Sequence, residues 1–227
     1  ARSWSKVDYQ DLNQMIAYDF NNRDGVPIQA FLTQAKNKSN KKTIIYPHGG
    51  PWARDYWGFE PTVQFLAENN FNVIQMNIRG SSGYGYEFGA EVFGNFEEVL
   101  EDIYDGIEFF DAEGLIDKNN LCIYGISYGG YAATMAPINR PDLFKCAASD
   151  AGLYDMEAQY RRGDIRRSRG GKVFLDRAFK GKDGKLDPSQ SPINRVSEMR
   201  VPFFLLHGKK DIRTPYKDAE LFMQEMD

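Results

Sequence analysis

The sequence predicts an α/β fold, with a mostly parallel central sheet that helices cover on both faces. Short apolar runs alternate with longer segments of helical periodicity, a pattern typical of parallel crossover connections. The later apolar runs are continuous, as strands buried on both faces require. The 227 residues, 42% of them hydrophobic, suffice for one large packed domain over residues 1–227.

Seven strands are predicted, and the first two form an antiparallel hairpin at one edge of the sheet. The runs IAYDF and IQAFLT, at 16–20 and 28–33, flank the turn-like segment NNRDG. The parallel strands follow in chain order at 43–47, 72–78, 121–126, 146–150 and 203–208.

Four segments between and after the parallel strands are predicted helices. In 97–113, apolar side chains recur three, four and seven residues apart. Segments 60–70 and 216–226 are amphipathic, and 128–138 is rich in small apolar residues. Residues 156–200 are polar and basic, so we expect a long connection with some helix over the rim of the sheet, where such segments often form part of a binding site.

The pentapeptide GISYG at 125–129 lies between a predicted strand and the small-residue helix. In this context G-x-S-x-G is typical of a nucleophile elbow, a strained turn that exposes the serine hydroxyl above the sheet. A Cβ at either glycine would collide with the neighbouring strand or with the start of the helix. Ser127 is therefore the predicted nucleophile.

The segment HGGP at 48–51 follows the first parallel strand. Backbone N–H groups at a glycine-rich strand end are suited to hold an oxyanion. We expect two such donors to converge near Ser127, one from Tyr128 and one from the glycine loop. His48 precedes the serine, whereas the base of this fold follows the acid, so we interpret His48 as a brace of the loop.

The last predicted strand ends in HGKKD at 207–211, which places Asp211 on a loop at the carboxyl edge of the sheet, 84 residues after Ser127. A carboxylate there can orient and neutralise a catalytic imidazole. Asp211 is therefore the predicted acid of a triad. His207 is interpreted as a structural residue at the strand end.

Five motifs occur in a specific order: PHGGP, NIRGSSGYGYEF, GISYGGY, SPINRV and HGKKDIRTP. Over residues 40–227 the chain resembles the catalytic α/β-hydrolase domain of the prolyl oligopeptidase family of serine peptidases, in particular its acylaminoacyl-peptidase and dipeptidyl-peptidase-like branches. The resemblance implies hydrolysis of short peptides through an acyl-enzyme. It also implies that Ser127 is the nucleophile, Asp211 the triad acid, and Tyr128 and Gly50 the sources of the oxyanion N–H groups.

Other residues near these motifs are candidates for substrate binding. We expect the aromatic side chains of Trp52, Tyr84, Tyr86 and Tyr131 to include walls of the pocket, with ordinary aromatic core as the alternative. Arg79 is expected to brace the oxyanion loop or a nearby carboxylate.

The triad histidine of the family follows the acid by a few tens of residues, on a loop after one more strand. Here 16 residues follow Asp211. We interpret this as a C-terminal truncation that leaves the last strand missing, so that residues 1–227 alone are expected to be inactive and their open sheet edge to favour a homo-oligomer. Residues 1–20 are expected to be the end of a connection from an N-terminal β-propeller.

Composition narrows the classes of partner and cofactor. The 28 Lys and Arg against 32 Asp and Glu give no support for nucleic-acid binding, and no apolar run approaches the ~20 residues of a membrane span. Two cysteines and two histidines give no basis for a metal site, and we expect no cofactor.

The cysteines also bear on the cellular compartment. Cys122 and Cys146 each begin an apolar run, so we expect buried reduced thiols, which suit a cytoplasmic protein. The N-terminus carries neither an initiator Met nor a signal-peptide core, and a periplasmic or secreted location stays open.

Two alternatives to a serine peptidase stay open at this point. A carboxylesterase of the same fold would use the same residues to cleave esters. A non-catalytic, hydrolase-like interaction domain would need neither Ser127 nor Asp211, and the presence of both favours an enzyme.

Overall fold

The central sheet has seven strands in the part of the chain that the computed structural model describes, residues 9–37 and 41–226. Neighbouring strands follow the order β1-β2-β4-β3-β5-β6-β7. Their bounds are β1 (Met15–Asn21), β2 (Pro27–Thr33), β3 (Thr43–Ile45), β4 (Asn72–Asn77), β5 (Leu121–Ile126), β6 (Cys146–Asp150) and β7 (Phe203–Leu206).

The first two strands form the predicted antiparallel edge hairpin. Met15 lies opposite Thr33 and Asn21 opposite Pro27, and β2 continues antiparallel onto β4. The other strands pair in parallel, β4 with β3, β3 with β5, β5 with β6 and β6 with β7. The mostly parallel sheet is therefore confirmed. Several strands end earlier than predicted, because the chain leaves the sheet at once to form the loops described below.

Helices connect the parallel strands and flank the sheet. The α-helices are α1 (Pro61–Glu68), α2 (Tyr86–Ala90), α3 (Glu101–Ala112), α4 (Tyr128–Asn139), α5 (Met156–Gln159), α6 (Arg169–Phe179) and α7 (Tyr216–Met226). Short 3-10 helices occur at Tyr9–Asp11, Glu98–Leu100, Ile165–Arg167, Pro188–Gln190 and Pro192–Glu198. All four predicted helices are present, and the long connection at 156–200 contains α5 and α6.

Helices cover both faces of the sheet, as alternate side chains of β4 show. Val73 packs in a cluster with Val63 of α1, whereas Ile74 and Met76 belong to the main core with Ile103 of α3. Successive strand residues point to opposite faces, so these two clusters lie on opposite sides of the sheet. Nearly every residue of α4 is buried, which explains why that helix is built from small residues.

The two cysteines form a disulfide, so the prediction of reduced thiols was wrong. Cys122 on β5 and Cys146 on β6 are partners in the strand register, with their Cα atoms 4.8 Å apart. That separation lies within the range that a disulfide bridges. The register between strands 24 residues apart is a tertiary property, which the two apolar runs do not reveal. The cysteines therefore give no support for a cytoplasmic location.

The predicted connection at 1–20 falls partly outside the described residues, which begin at residue 9. Its later part is the edge strand β1, so residues 15–20 belong to the sheet. None of the helices in the described ranges combines the length and the apolar composition that a bilayer span needs.

Candidate active site

Ser127 occupies the junction between β5 and α4 with a φ of 60° and a ψ of −118°. A positive φ is strained for a residue with a side chain, and it persists only where neighbouring contacts enforce it. Ser127 N donates to Asp150 O on β6 at 2.9 Å, and Tyr131 N donates to Ser127 O at 3.0 Å. These hydrogen bonds hold the turn in the strained conformation, and the side chain is partly exposed at the carboxyl edge of the sheet.

The two glycines of the pentapeptide are required by close backbone contacts. A Cβ on Gly125 would overlap the backbone of Gly129, and a Cβ on Gly129 would overlap Pro47 O. A side chain would therefore collide at both positions, as the motif predicts. At Gly125 it would meet the start of α4, and at Gly129 it would meet the chain just after β3.

The glycine loop after β3 lies against this turn. The position of a Cβ on Gly49 would be 3.3 Å from Ile126 O and 3.6 Å from Ser127 Cβ. Gly50, Ser127 and Tyr128 line one cavity. The N–H of Tyr128 belongs to the first turn of α4, where amides have no acceptor within the helix and the helix dipole favours negative charge. The structure thus brings together the residues predicted for the nucleophile and the oxyanion contacts.

His48 is held inside the glycine loop by both ring nitrogens. Nδ1 lies 2.7 Å from Gly49 O, and Nε2 lies 2.8 Å from Ser81 Oγ. A carbonyl oxygen only accepts, so a neutral His48 carries its proton on Nδ1. Ser81 Oγ also lies 2.7 Å from Ile78 O, so Ile78 O and His48 Nε2 compete for the single Ser81 hydroxyl proton. Burial lowers the pKa of His48, which keeps the ring neutral. These contacts agree with the interpretation of His48 as a brace.

Two buried amides of β4 anchor the continuation of the glycine loop at Asp55. Asp55 N donates to Asn77 Oδ1 at 2.7 Å, and Asn77 Nδ2 donates back to Asp55 O at 3.1 Å. Gln75 Nε2 donates to Asp55 Oδ1 at 2.7 Å. No motif indicated this anchor, although two amides at alternate positions of the apolar run NVIQMNI are a visible signal for a polar contact on one face of the strand.

Asp55→Asn is expected to stabilise the protein at alkaline pH. Burial raises the pKa of Asp55 to about 7, while its second oxygen and Gln75 Oε1 have no hydrogen-bond partner among the described residues. A carboxyl whose pKa is raised by folding stabilises the fold while protonated, and that stability is lost as pH rises from about 4 through about 7. The gain from Asn should therefore grow with pH, to at most about 4 kcal/mol above pH 8, and urea unfolding at pH 4, 6 and 8 measures it. A gain independent of pH would contradict it.

Asp211 lies on the loop after β7, and its carboxylate organises that loop. Oδ1 accepts from Arg213 N at 2.8 Å and from Thr214 N at 3.0 Å, and Oδ2 accepts from Thr214 Oγ1 at 3.2 Å. The side chain is 22% exposed. The carboxylate is thus held in one orientation and remains accessible.

Thr214 connects the Asp211 loop to the Ser127 turn. The Thr214 hydroxyl lies 3.0 Å from Ala151 O. Ala151 directly follows Asp150, whose carbonyl oxygen accepts the hydrogen bond from Ser127 N. Thr214 also lines the cavity that Ser127 lines. The carboxyl ends of β5, β6 and β7 therefore meet at one site, as parallel strands with right-handed crossovers predict.

His207 lies behind this site. Its Nε2 is 2.6 Å from Thr214 O and 3.9 Å from Asp211 Oδ2. The side chain is only 1% exposed and packs beside the rings of Tyr154 and Tyr216. A histidine this buried supports the loop and does not face a substrate, in line with the structural interpretation.

The cavity beside Ser127 has a volume of about 290 Å³. Its walls are mainly apolar and aromatic, and its lining residues are Gly50, Trp52, Phe96, Ser127, Tyr128, Leu153, Gln159, Ile165, Phe174, Phe179, Arg213 and Thr214. Among the aromatic residues proposed from sequence, Trp52 is in this lining. Tyr128 of the elbow motif is a second aromatic wall. The remaining apolar walls, Phe96, Leu153, Ile165, Phe174 and Phe179, come from segments that no motif singled out, including α6 of the long connection.

The other three tyrosines named from sequence lie outside this lining. Tyr131 is fully buried in the core and stacks on Tyr128. The Tyr84 hydroxyl contacts Gln29, Asn77 and Arg54. The Tyr86 hydroxyl accepts from Arg177. Tyr131 therefore has the alternative role of an ordinary core aromatic. Tyr84 belongs to a polar network beside the continuation of the glycine loop.

Arg79 also lies outside the lining, in a buried ion pair. Its Nε is 3.0 Å from Asp102 Oδ1, its backbone N donates to Asp102 Oδ2 at 2.8 Å, and its Nη1 reaches Asp24 at 2.9 Å. Asp102 has no exposed surface and also accepts from Asn22 Nδ2. Of the two roles expected for Arg79, the structure therefore agrees with the brace of a carboxylate, and it gives no contact with the oxyanion loop.

Known proteins with similar sequences are peptidases. The chain is 26% identical over 249 residues to dipeptidyl peptidase family member 6 of Caenorhabditis elegans, covering 95% of this chain and 33% of that protein. It is 27% identical over 215 residues to acylamino-acid-releasing enzyme 2 of Oryza sativa subsp. japonica, covering 88% of this chain and 27% of that protein. The chain thus spans 27% to 33% of the length of these relatives.

Solved structures show the same fold. The acylaminoacyl peptidase of Pyrococcus horikoshii superposes with a TM-score of 0.85 at 25% identity, over 98% of this chain and 36% of that one. An acylaminoacyl peptidase in complex with Z-Gly-Gly-Phe-chloromethyl ketone superposes with a TM-score of 0.84 at 26% identity, over 95% of this chain and 35% of that one. The α/β-hydrolase fold is confirmed. Residues 57–227 match the model of the prolyl oligopeptidase family, and the chain therefore belongs to that family of serine-type peptidases.

Proposed function

We propose that this chain is the catalytic domain of a serine peptidase that hydrolyses short peptides. The observation that carries the proposal is the meeting of three groups at one cavity. Ser127 stands in a strained turn, Gly50 and Tyr128 lie beside it, and Thr214 joins the cavity to the Asp211 carboxylate. This is the arrangement that acyl transfer needs, with a nucleophile, oxyanion donors and an oriented acid.

In the proposed mechanism, Ser127 Oγ attacks the carbonyl carbon of the scissile bond and gives its proton to an imidazole base that Asp211 orients. The N–H groups of Tyr128 and Gly50 hold the negative oxygen of the tetrahedral intermediate. The protonated imidazole then gives its proton to the leaving amine, and an ester on Ser127 remains. Water attacks this acyl-enzyme by the same route, and releases the acid product and the free serine.

The cavity supports a preference for an apolar, aromatic residue on the acyl side of the scissile bond, the P1 residue. Trp52, Phe96, Phe174 and Phe179 are among its walls, and a volume of about 290 Å³ accommodates one large side chain. One structural relative is complexed with Z-Gly-Gly-Phe-chloromethyl ketone, an inhibitor whose phenylalanine lies next to its reactive group. We therefore propose phenylalanine-like P1 residues for this chain.

The proposal is tested on the full-length protein with a fluorophosphonate probe and a substrate panel. We expect labelling of Ser127 and faster cleavage of anilides with P1 Phe than with P1 Gly or P1 Asp. Comparing N-acetyl-Phe with unblocked Gly-Phe anilides separates acylaminoacyl from dipeptidyl release, and p-nitrophenyl acetate reports esterase activity. Labelling with ester cleavage but no amide cleavage would favour a carboxylesterase, and no labelling would favour an interaction domain.

Residues 1–227 by themselves are expected to turn over esters and anilides at close to the uncatalysed rate. Nδ1 of His48 contacts Gly49 O, its Nε2 contacts Ser81 Oγ, and the side chain of His207 is 1% exposed, so neither histidine supplies the base for Ser127. The measurement is p-nitrophenyl acetate turnover by this chain and by its His48→Gln and His207→Gln variants. Turnover that disappears in one of these folded variants would identify that histidine as the base and contradict the proposal.

A further inference from the structure

One polar side chain in the aromatic cavity has no assigned role. Gln159, at the end of α5, is 3% exposed and lines the cavity that Ser127 lines. Its Nε2 atom has no hydrogen-bond partner among the described residues. Buried amides in folded proteins are nearly always paired, because an unpaired one keeps the cost of leaving water without any compensation.

The buried walls of the cavity do not pair with Gln159 Nε2. Phe96, Leu153 and Phe179 carry no polar side-chain atom, and the hydroxyls of Tyr128 and Thr214 donate to Phe96 O and Ala151 O instead. On its other side Gly163 makes room for the amide, since a Cβ there would overlap Gln159 Oε1. The local structure thus keeps a buried amide beside the cavity, and the described residues provide no hydrogen bond for its Nε2 atom.

Gln159 lies in the inner part of the cavity, where the far end of a bound side chain would be. Phe174, Arg213 and Gly50 are exposed and form the outer part of the lining, whereas Gln159 and Phe96 are 3% exposed and form its inner part. A P1 side chain that enters beside Ser127 points its terminal atoms toward the inner part.

We infer that Gln159 is a specificity-determining residue that binds the hydroxyl of a P1 tyrosine. The inference rests on the proposed peptidase function and narrows its substrate class from aromatic to hydroxyl-bearing aromatic. A phenolic hydroxyl both donates and accepts, so it pairs with the amide whichever way its oxygen and nitrogen are oriented. The tyrosine ring packs against the aromatic walls, and the hydroxyl supplies the partner that the walls lack.

The first test varies the substrate and leaves the protein unchanged. Matched acyl-anilide peptides with P1 Phe, Tyr and 4-methylphenylalanine are compared by kcat/KM with the full-length protein. The methyl group has nearly the size of the hydroxyl and cannot form the hydrogen bond, so it separates fit from pairing. We expect Tyr to exceed 4-methylphenylalanine by about 3- to 10-fold, the range of one net hydrogen bond. Equal values for these two substrates would overturn the inference.

The second test changes the residue. Gln159→Met keeps the length of the side chain and removes its hydrogen-bonding groups, and we expect it to bring the Tyr to 4-methylphenylalanine ratio to about one. Fluorophosphonate labelling of this variant reports whether its active site is folded. Gln224→Met, the same change at an exposed position of α7 outside the cavity lining, is the matched control and should keep the ratio. A ratio that persists in Gln159→Met would overturn the inference.

Fluorophosphonate labelling distinguishes this inference from the proposed function. The probe reacts with the nucleophile and does not need the P1 cavity. Labelled protein that cleaves Tyr and 4-methylphenylalanine substrates equally would overturn the role of Gln159 and leave the peptidase proposal standing. Protein that is neither labelled nor active would overturn both.

Discussion

Ser127→Ala in the full-length protein is expected to remove peptide hydrolysis and fluorophosphonate labelling while leaving the fold intact. Loss of the nucleophile lowers kcat by on the order of 10⁴- to 10⁶-fold in serine hydrolases, because no other group forms the acyl-enzyme. The Ser127 turn is held by backbone hydrogen bonds to Asp150 and Tyr131, which alanine retains. The measurements are kcat/KM on a P1 Phe anilide, probe labelling, and thermal unfolding.

The matched control for this variant is Ser82→Ala. Ser82 is exposed on the loop after β4, and the same change of hydroxyl to hydrogen there should alter neither labelling nor kcat/KM. Labelling that persists in Ser127→Ala would show that another residue is the nucleophile. A large loss of stability in Ser127→Ala would instead show that the serine hydroxyl supports the turn.

Asp211→Asn is expected to lower kcat by on the order of 10⁴-fold, because the neutral amide neither stabilises the imidazolium nor selects the correct tautomer of the base. The loop should keep its shape. An asparagine Oδ1 still accepts from Arg213 N and Thr214 N, the two backbone hydrogen bonds of the Asp211 turn. The loss should therefore appear in kcat and should not be overcome by raising the substrate concentration. The midpoint of unfolding should stay close to that of the unchanged protein.

The control for the acid is Asp187→Asn, a substitution of the same kind at a surface turn. The Asp187 carboxylate accepts from Ser189 N, much as Asp211 accepts from Arg213 N, and Asp187 is the exposed N-cap of the 3-10 helix Pro188–Gln190. Its replacement should leave kcat unchanged. Near-normal turnover by Asp211→Asn, together with a loss in Asp150→Asn or Asp155→Asn, would assign the triad acid to one of those carboxylates.

The strands, the helices and the elbow turn were predictable because their signals are local. Continuous apolar runs identified β4 to β7, and periodic spacing identified α3, whose buried residues include Ile103, Ile107 and Phe110. The turn at Ser127 was predictable because two glycines and a serine between a strand and a helix leave few conformations. The same local patterns misplaced strand ends by a few residues, since a strand ends where pairing stops, and pairing involves a second segment.

Other features depended on segments that are distant in the chain. The Cys122–Cys146 disulfide follows from the register of β5 against β6. Arg79 was a candidate near the oxyanion loop, but its guanidinium finds Asp102 on α3, 23 residues later, because a buried cation requires a buried partner. Tyr131 is in the core since α4 turns that face toward Phe96.

The sequence by itself determined the fold class, the family and the residues predicted for the reaction, since these depend on short motifs and on the periodicity of apolar residues. Only the tertiary structure decided which side chains form the cavity beside Ser127, how Asp55 is buried, and that Gln159 Nε2 lies among aromatic walls without a partner in the described part of the chain. The physical reason is that burial and pairing are properties of surfaces assembled from several segments. A motif specifies the conformation of its own residues, whereas the partners of those residues come from the rest of the chain.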